Sequence, residues 1–296
     1  LNPQILDLNT FLCFDFSQCE IRVLAEISND PLLISQFQSG QDIHCLVGNT
    51  LTGWPVERIK KEKNLRKMVK NMVFGVIYGL SRDNLYPYIV MKIREIDGVN
   101  ADLTGITPER VGKLYDQFFR RYKGVAQYII DSREMAERLG YVETLLEFRR
   151  EISKEDESRS TYWGNQSINS RVQGTAHQLL LIAMALLHLK PQTFKLLQTP
   201  LMEIHDALDF KVKVRDLTEA YHQGKQLLEV AVFDYIRRHF KWRPRVPFLV
   251  EASAGFCLGS CTEYTGQSVE EWIVQWRQKH LESEAKSWKE LAAKTV

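Results

Sequence analysis

The 296-residue sequence predicts an α+β protein: an antiparallel sheet with helices on it, interrupted by a mainly helical insertion. Three observations carry this. The apolar run Leu12 to Phe16 is short enough for a buried strand, and the apolar spacing turns helical directly after it. A second segment, Leu201 to Val212, places apolar residues alternately on both sides of His205-Asp206, which predicts a hairpin. Between the two lies a long tract, 31–165, with helical spacing. At 44% hydrophobic residues, the chain can bury a core and is long enough for two subdomains.

The elements follow in order. Residues 1–30 supply a strand and the start of a helix, since apolar positions after Gln18 fall at Ile21, Leu24 and Ala25. Asp15 ends the strand in what reads as an apolar surround, where an unpaired carboxylate is costly. A divalent cation would remove that cost. The plainer reading is an Asp capping the next helix.

Within 31–165 the run Arg66 to Gly79 is the most informative stretch. Arg66, Lys70, Phe74 and Tyr78 recur every four residues, so a helix sets them in one slowly drifting stripe. The stripe passes from two cations to two aromatic rings. A nucleoside triphosphate needs that layout: positive charge for the phosphates, a flat ring for sugar and base. Gly75 and Gly79 remove side chains where a base pair must come close. A plain amphipathic helix explains Met68, Val69, Met72, Val73, Val76 and Ile77, but not the stripe. Further on, 98–105 reads as a loop. Thr107-Pro108 caps a new helix with proline in its first turn. Lys154 to Arg159 reads as a charged loop.

Residues 166–260 read as a long helix whose buried part is Leu179 to Leu189, then the hairpin, a helix near 216–240 and a last strand. The hairpin Asp is equally explained by a common turn. Beyond residue 260, Ser268 and Glu271 form a capping box that opens another helix. Trp272, Ile273 and Trp276 share a face, and Trp288 and Leu291 extend the apolar content. Either this tail packs back on its own sheet, or it docks a partner chain.

The net charge of +2 is low for a nucleic-acid-binding protein, yet charge clusters locally at Lys60, Lys61, Lys63, Arg66, Lys67 and Lys70. Arg149, Arg150 and Lys154 read as a solvated group. Five cysteines, an odd number, fit a reducing compartment, and Cys257 and Cys261 are too isolated to argue for zinc. No secretory signal stands out, and no apolar run reads as long enough for a membrane helix.

Two strand-end aspartates and a separate phosphate-binding stripe suggest one chemistry. Carboxylates hold a pair of magnesium ions that stabilise the attacking and leaving oxygens of an in-line phosphoryl transfer. The segments resemble those of family A DNA polymerases, the group of bacterial DNA polymerase I and many phage replicases. Asp15-Phe-Ser-Gln-Cys-Glu-Ile-Arg22 resembles motif A, Arg66 to Gly79 motif B, and Ile204-His205-Asp206 motif C. Gly40 to His44, Leu139 to Thr144, Asn169 to Ala176 and Val246 to Gly255 resemble the intervening and final segments, so the likeness covers nearly residues 10–260.

The resemblance implies a polymerase palm (1–30 with motif A, 166–260 with motif C), a fingers insertion (31–165) and a C-terminal helical extension (261–296). It implies template-directed DNA synthesis from deoxynucleoside triphosphates on a primer–template. Asp15 and Asp206, with the Phe16 carbonyl, would hold two magnesium ions, with manganese as a substitute. Arg66, Lys70 and His44 would hold the triphosphate, with Gln18 beside them and Lys70 also catalytic. Phe74 would lie against the sugar. Glu20 and Tyr78 would form the gate that excludes a ribose 2′-hydroxyl. Asn169, Gln173 and His205 would bond in the minor groove, where acceptors are nearly the same for every correct pair.

Some positions depart from the family. Ala207 stands where motif C usually has glutamate, with Glu203 and Asp209 as nearby candidates for that carboxylate. Asn165 replaces an arginine, Arg171 a proline, Phe16 a tyrosine and Cys19 an aliphatic residue. No thumb or exonuclease segment precedes motif A. The expectation is therefore a fragment of a longer product, or one half of a split polymerase whose second polypeptide brings the thumb and the exonuclease. The setting implied is the cytoplasm, that of a phage-infected bacterium if the likeness is to phage enzymes. Other readings are a catalytically weak structural subunit of a replisome and a nucleotide-binding regulator. The regulator needs only Arg66, Lys70 and Phe74, and leaves Asp15 and Asp206 unexplained.

Overall fold

A computed structural model describes residues 3–98, 106–153 and 162–294. A short helix α1 (Pro3–Leu6) leads into strand β1 (Asn9–Phe16) and helix α2 (Cys19–Ser28). Helices α3 (Pro31–Gln38), α4 (Ile43–Thr52), α5 (Val56–Lys61), α6 (Lys63–Ile77), α7 (Arg82–Asp97), α8 (Pro108–Arg121) and α9 (Lys123–Leu139) follow. A small hairpin, β2 (Tyr141–Glu143) and β3 (Arg149–Glu151), precedes the long helix α10 (Tyr162–Leu189). Then come β4 (Met202–Ile204), β5 (Ala207–Lys213), α11 (Leu217–Lys225), a π-helical turn at Gln226–Ala231 and α12 (Val232–His239). Strands β6 (Val250–Gly255) and β7 (Thr262–Glu263) and helix α13 (Val269–Lys294) complete the order. This is the expected α+β class. The loop expected at 154–159, most of the loop expected at 98–105, and the side chains of Lys63, Lys154, Trp288 and Leu291 lie outside the described residues.

The chain divides into two compact units. The first gathers Leu1–Cys19, Ala176–Arg243 and Phe248–Val296; the second is Glu20–Thr175 with Pro244–Pro247.

The first unit is built on an antiparallel sheet of order β4-β5-β1-β6-β7. Strand β1 alternates, so Leu12, Phe14 and Phe16 are buried while Asp15 is exposed. Phe14 packs edge-on against Phe210 and stacks near Tyr221. Helix α11 lies so close to that ring that a Cβ on Gly224 would sit 2.1 Å from it, so glycine is what permits the contact. Glu229, in the π-helical turn, accepts from the Val250 amide at 2.8 Å, while Lys225 donates to the Val250 carbonyl at 3.0 Å. Together they pin the start of β6.

The tail resolves in favour of packing back. The capping box forms: Ser268 N donates to Glu271 Oε2, and Glu271 N to Ser268 Oγ. Trp272 is fully buried among Phe256 and Tyr264, and Trp276 lies edge-on to Phe256 and donates from Nε1 to the Ser260 carbonyl. Trp272 is therefore core of its own unit and Trp276 is half-buried against it, so both rings pack on their own unit.

In the second unit a single buried carboxylate organises two helices. Asp30 accepts from Leu32 N and Leu33 N at the start of α3, and its other oxygen accepts from Gly124 N and Val125 N at the start of α9. Thr107 caps α8 as expected, its hydroxyl accepting from Arg110 N. Glu26 draws in the segment 244–247 by accepting from Arg245 N and Val246 N.

One expectation fails. Trp163–Leu189 is long and apolar enough, by length and composition, to cross a membrane, with mean hydropathy 1.3 over its best window. The sequence reading weighed only the run 179–189. The helix starts far earlier, and its polar positions, such as Asn165, Ser167 and Gln173, are mostly uncharged. Ile168, Val172, Ala176, Leu179, Leu180, Ala183 and Leu187 are all buried, a stripe with core spacing.

Candidate functional site

The acidic residues lie in the first unit. Asp15 pairs directly across β5 with Ala207, and Phe16 N donates to the Asp206 carbonyl at 3.1 Å. Asp206 occupies the two-residue turn between β4 and β5, after His205, which adopts φ 57°. The ladder thus sets the two carboxylate-bearing residues side by side at one end of the sheet. Asp15 is exposed, so the burial cost that argued for a cation falls away: strand alternation turns it to solvent. The juxtaposition remains. Among the described residues, no three His, Cys, Asp or Glu side chains form a metal cage. Two carboxylates still fit magnesium, which usually takes one or two carboxylates plus substrate phosphates and water. Ala207 holds the position beside Asp15 on β5, and Glu251 holds the matching position on β6. Gln18, at φ 55°, turns the chain from β1 into α2, with its Oε1 buried and unpaired. The Phe16 ring is buried.

The stripe lies in the second unit. Arg66, Lys70 and Phe74 sit on α6, and Tyr78 is its C-cap residue. The Phe74 and Tyr78 rings stack at 5.9 Å, and Lys70 Nζ lies 5.8 Å from the Phe74 ring centre. Lys70 and Arg66 are exposed, as are Lys60, Lys61 and Lys67. Arg66 is held by Asp42 at 3.1 Å. Burial pushes the Asp42 carboxyl up, but the Cys45 amide and the Arg66 guanidinium outweigh it and hold the carboxyl below its ordinary value. His44 is buried edge-on against Phe74. Burial, and then the Lys70 cation, push it down to about 4. It is therefore neutral at pH 7 and can act there as a hydrogen-bonding group, not a cation.

Glu20 opens α2 and accepts a short hydrogen bond from the Tyr78 hydroxyl. Gln173 Nε2 donates to its other oxygen at 3.4 Å. The structure thus brings Glu20, Tyr78 and Gln173 together. Asn169 lies one turn before Gln173 on α10, with Oδ1 buried and unpaired. Arg149 is exposed and pairs with Glu143, a solvated contact.

Two residues gain roles that the sequence reading missed. Asp42 both caps α4 and anchors Arg66. Its position just before Ile43 was a legible capping signal, but its second partner was not. Asn165 fills the space left by Gly79: a Cβ there would lie 2.0 Å from its Oδ1. Gly79 also has φ +104°, so glycine is needed for conformation as well as room. The gap read as space for a base pair is occupied by this side chain.

Comparison with known proteins agrees with this arrangement. The sequence pattern of DNA polymerase family A matches residues 6–258. DNA polymerase I of Chloroflexus aurantiacus is 35% identical over 200 residues, 67% of this chain and 19% of that protein. DNA polymerase I of Streptococcus pneumoniae is 32% identical over 231 residues, 76% of this chain and 24% of that protein. The chain thus spans about a fifth to a quarter of the length of these relatives. Among solved structures, the POL domain of Pol1 from M. smegmatis, in complex with DNA primer-template and dNTP, superposes with TM-score 0.66 at 25% identity. That match covers 83% of this chain and 39% of the other. The chain belongs to DNA polymerase family A.

Proposed function

We propose that this chain is the catalytic part of a DNA-directed DNA polymerase, joining deoxynucleoside triphosphates to a primer 3′ end on a template. The observation that carries the reading is the β1–β5 register, which sets Asp15 beside the Asp206 turn. In the proposed reaction the primer oxygen bonds to the α-phosphorus and pyrophosphate leaves. Asp15 and Asp206, with the Phe16 carbonyl, would hold magnesium, which when bound stabilises the attacking and leaving oxygens. Lys70 and Arg66 neutralise phosphate charge, and His44 and Gln18 add hydrogen bonds. Phe74 lies against the sugar. Glu20, held by Tyr78, excludes a ribose hydroxyl. Asn169, Gln173 and His205 test pair geometry from the minor groove. Primer–template grip comes from a segment outside this chain, carried by a second polypeptide or by the rest of a longer one. The solved relative's primer–template and dNTP support these partners.

Asp15→Ala and Asp206→Ala should each lower primer extension by more than about 100-fold while leaving circular dichroism unchanged. Near-normal extension by either variant would overturn the assignment. A second reading, a structural subunit with little activity, draws on Ala207, the residue directly opposite Asp15. Absence of extension by the wild-type assembly would favour it.

A further inference from the structure

We propose that Cys13 and Cys261 form a reversible disulfide when the protein meets a peroxide, tying β1 to the segment that enters β7. This goes beyond the polymerase reading and does not depend on it. Strand register sets the geometry. Cys13 lies between Asp209 on β5 and Ser253 on β6, and Phe11, two residues earlier on the same face, pairs with Gly255. Gly255 has no side chain, and a Cβ there would sit 2.8 Å from the Cys261 Cα and 2.9 Å from its nitrogen. The chain at Cys261 therefore crosses directly over the sheet at Gly255, on the face that carries Cys13. The Cys13 and Cys261 side chains share that face within interaction reach of each other, and the buried Asp209 lies directly across the ladder from Cys13. Both cysteines are free and neither is fully buried, so a small oxidant reaches them.

The third cysteine of this region is turned elsewhere. Cys257 Sγ lies 3.0 Å from Ser260 Oγ, and Cys257 meets the Cys261 thiol through its carbonyl, which accepts from Cys261 Sγ at 3.5 Å. One of the two sulfurs, as thiolate, takes one oxygen from hydrogen peroxide, giving a sulfenic acid and hydroxide. The Cys13 sulfur then bonds to the Cys261 sulfur and water leaves. The peroxide gains two electrons and the thiol pair loses two. In a reducing compartment the bond is transient.

The test uses the full chain, treated with hydrogen peroxide and then mapped by non-reducing peptide mass spectrometry with a count of free thiols. The expected result is a linked Cys13–Cys261 peptide and a thiol count falling from five to three, restored by dithiothreitol. Cys257→Ser should still form the link, and Cys261→Ser should form none. A Cys257–Cys261 link, or five thiols left free, would overturn the proposal. The wild-type peptide map decides alone if a variant fails to fold.

Discussion

At Glu20 two hydrogen bonds converge on one carboxylate, from Tyr78 and from Gln173. A side chain held at both oxygens has little rotamer freedom left, so it can act as a wall. That property is what a sugar gate requires. Glu20→Ala should relax discrimination against ribonucleotides by about 10- to 100-fold, since the wall is steric. Primer extension with matched ribo- and deoxynucleotides measures it, and unchanged selectivity would move the gate elsewhere. Glu20→Gln keeps the shape and should retain most of the selectivity.

At the scale of elements, α13 shows how a helix start is fixed twice, by its capping box and by a buried ring. Trp272 is fully buried, so Trp272→Ala should destabilise the first unit by about 3 kcal/mol, near the low end for large aromatic truncations. The low end is expected because the indole Nε1 is buried without a partner, a cost that truncation removes. Urea denaturation followed by circular dichroism would read it, and a loss under about 1 kcal/mol would show that the ring contributes little. Much of the architecture was legible in the sequence because its signals are local. The β4–β5 hairpin, the α6 stripe, the Thr107 cap and the Ser268 box each follow from residues a few positions apart. What stayed hidden depends on partners far along the chain. Nothing near Arg66 announces Asp42, and nothing near Gly79 announces Asn165. Alternation could have told that Asp15 faces solvent, had the strand been traced from Asn9. The long helix at 166 was legible, but its membrane-length apolar character was not, because that rests on the absence of charge across the whole helix and not on one apolar run.

For the whole molecule, charge is the governing quantity. Thirty-nine basic side chains against 37 acidic ones leave a net +2, so the field of the whole molecule attracts nucleic acid only weakly. The chain alone should therefore bind primer–template in the range of about 10⁻⁴–10⁻⁶ M at physiological salt, and should extend primers distributively. Titration by fluorescence anisotropy together with a single-turnover extension assay checks both. Tight, processive extension by the isolated chain would show that no further grip is needed. The sheet at the centre of the first unit carries another implication, for synthesis on the ribosome. Strand β1 is made well before its two neighbours, which begin at Ala207 and Val250. At about 5–20 residues per second, roughly 10–40 s pass before the first partner exists. In that interval Glu20–Thr175 of the helical second unit can fold as it emerges, while β1 stays an unpaired hydrophobic strand with both edges open. The nascent chain, rather than the finished protein, is then where chaperone dependence and aggregation should concentrate.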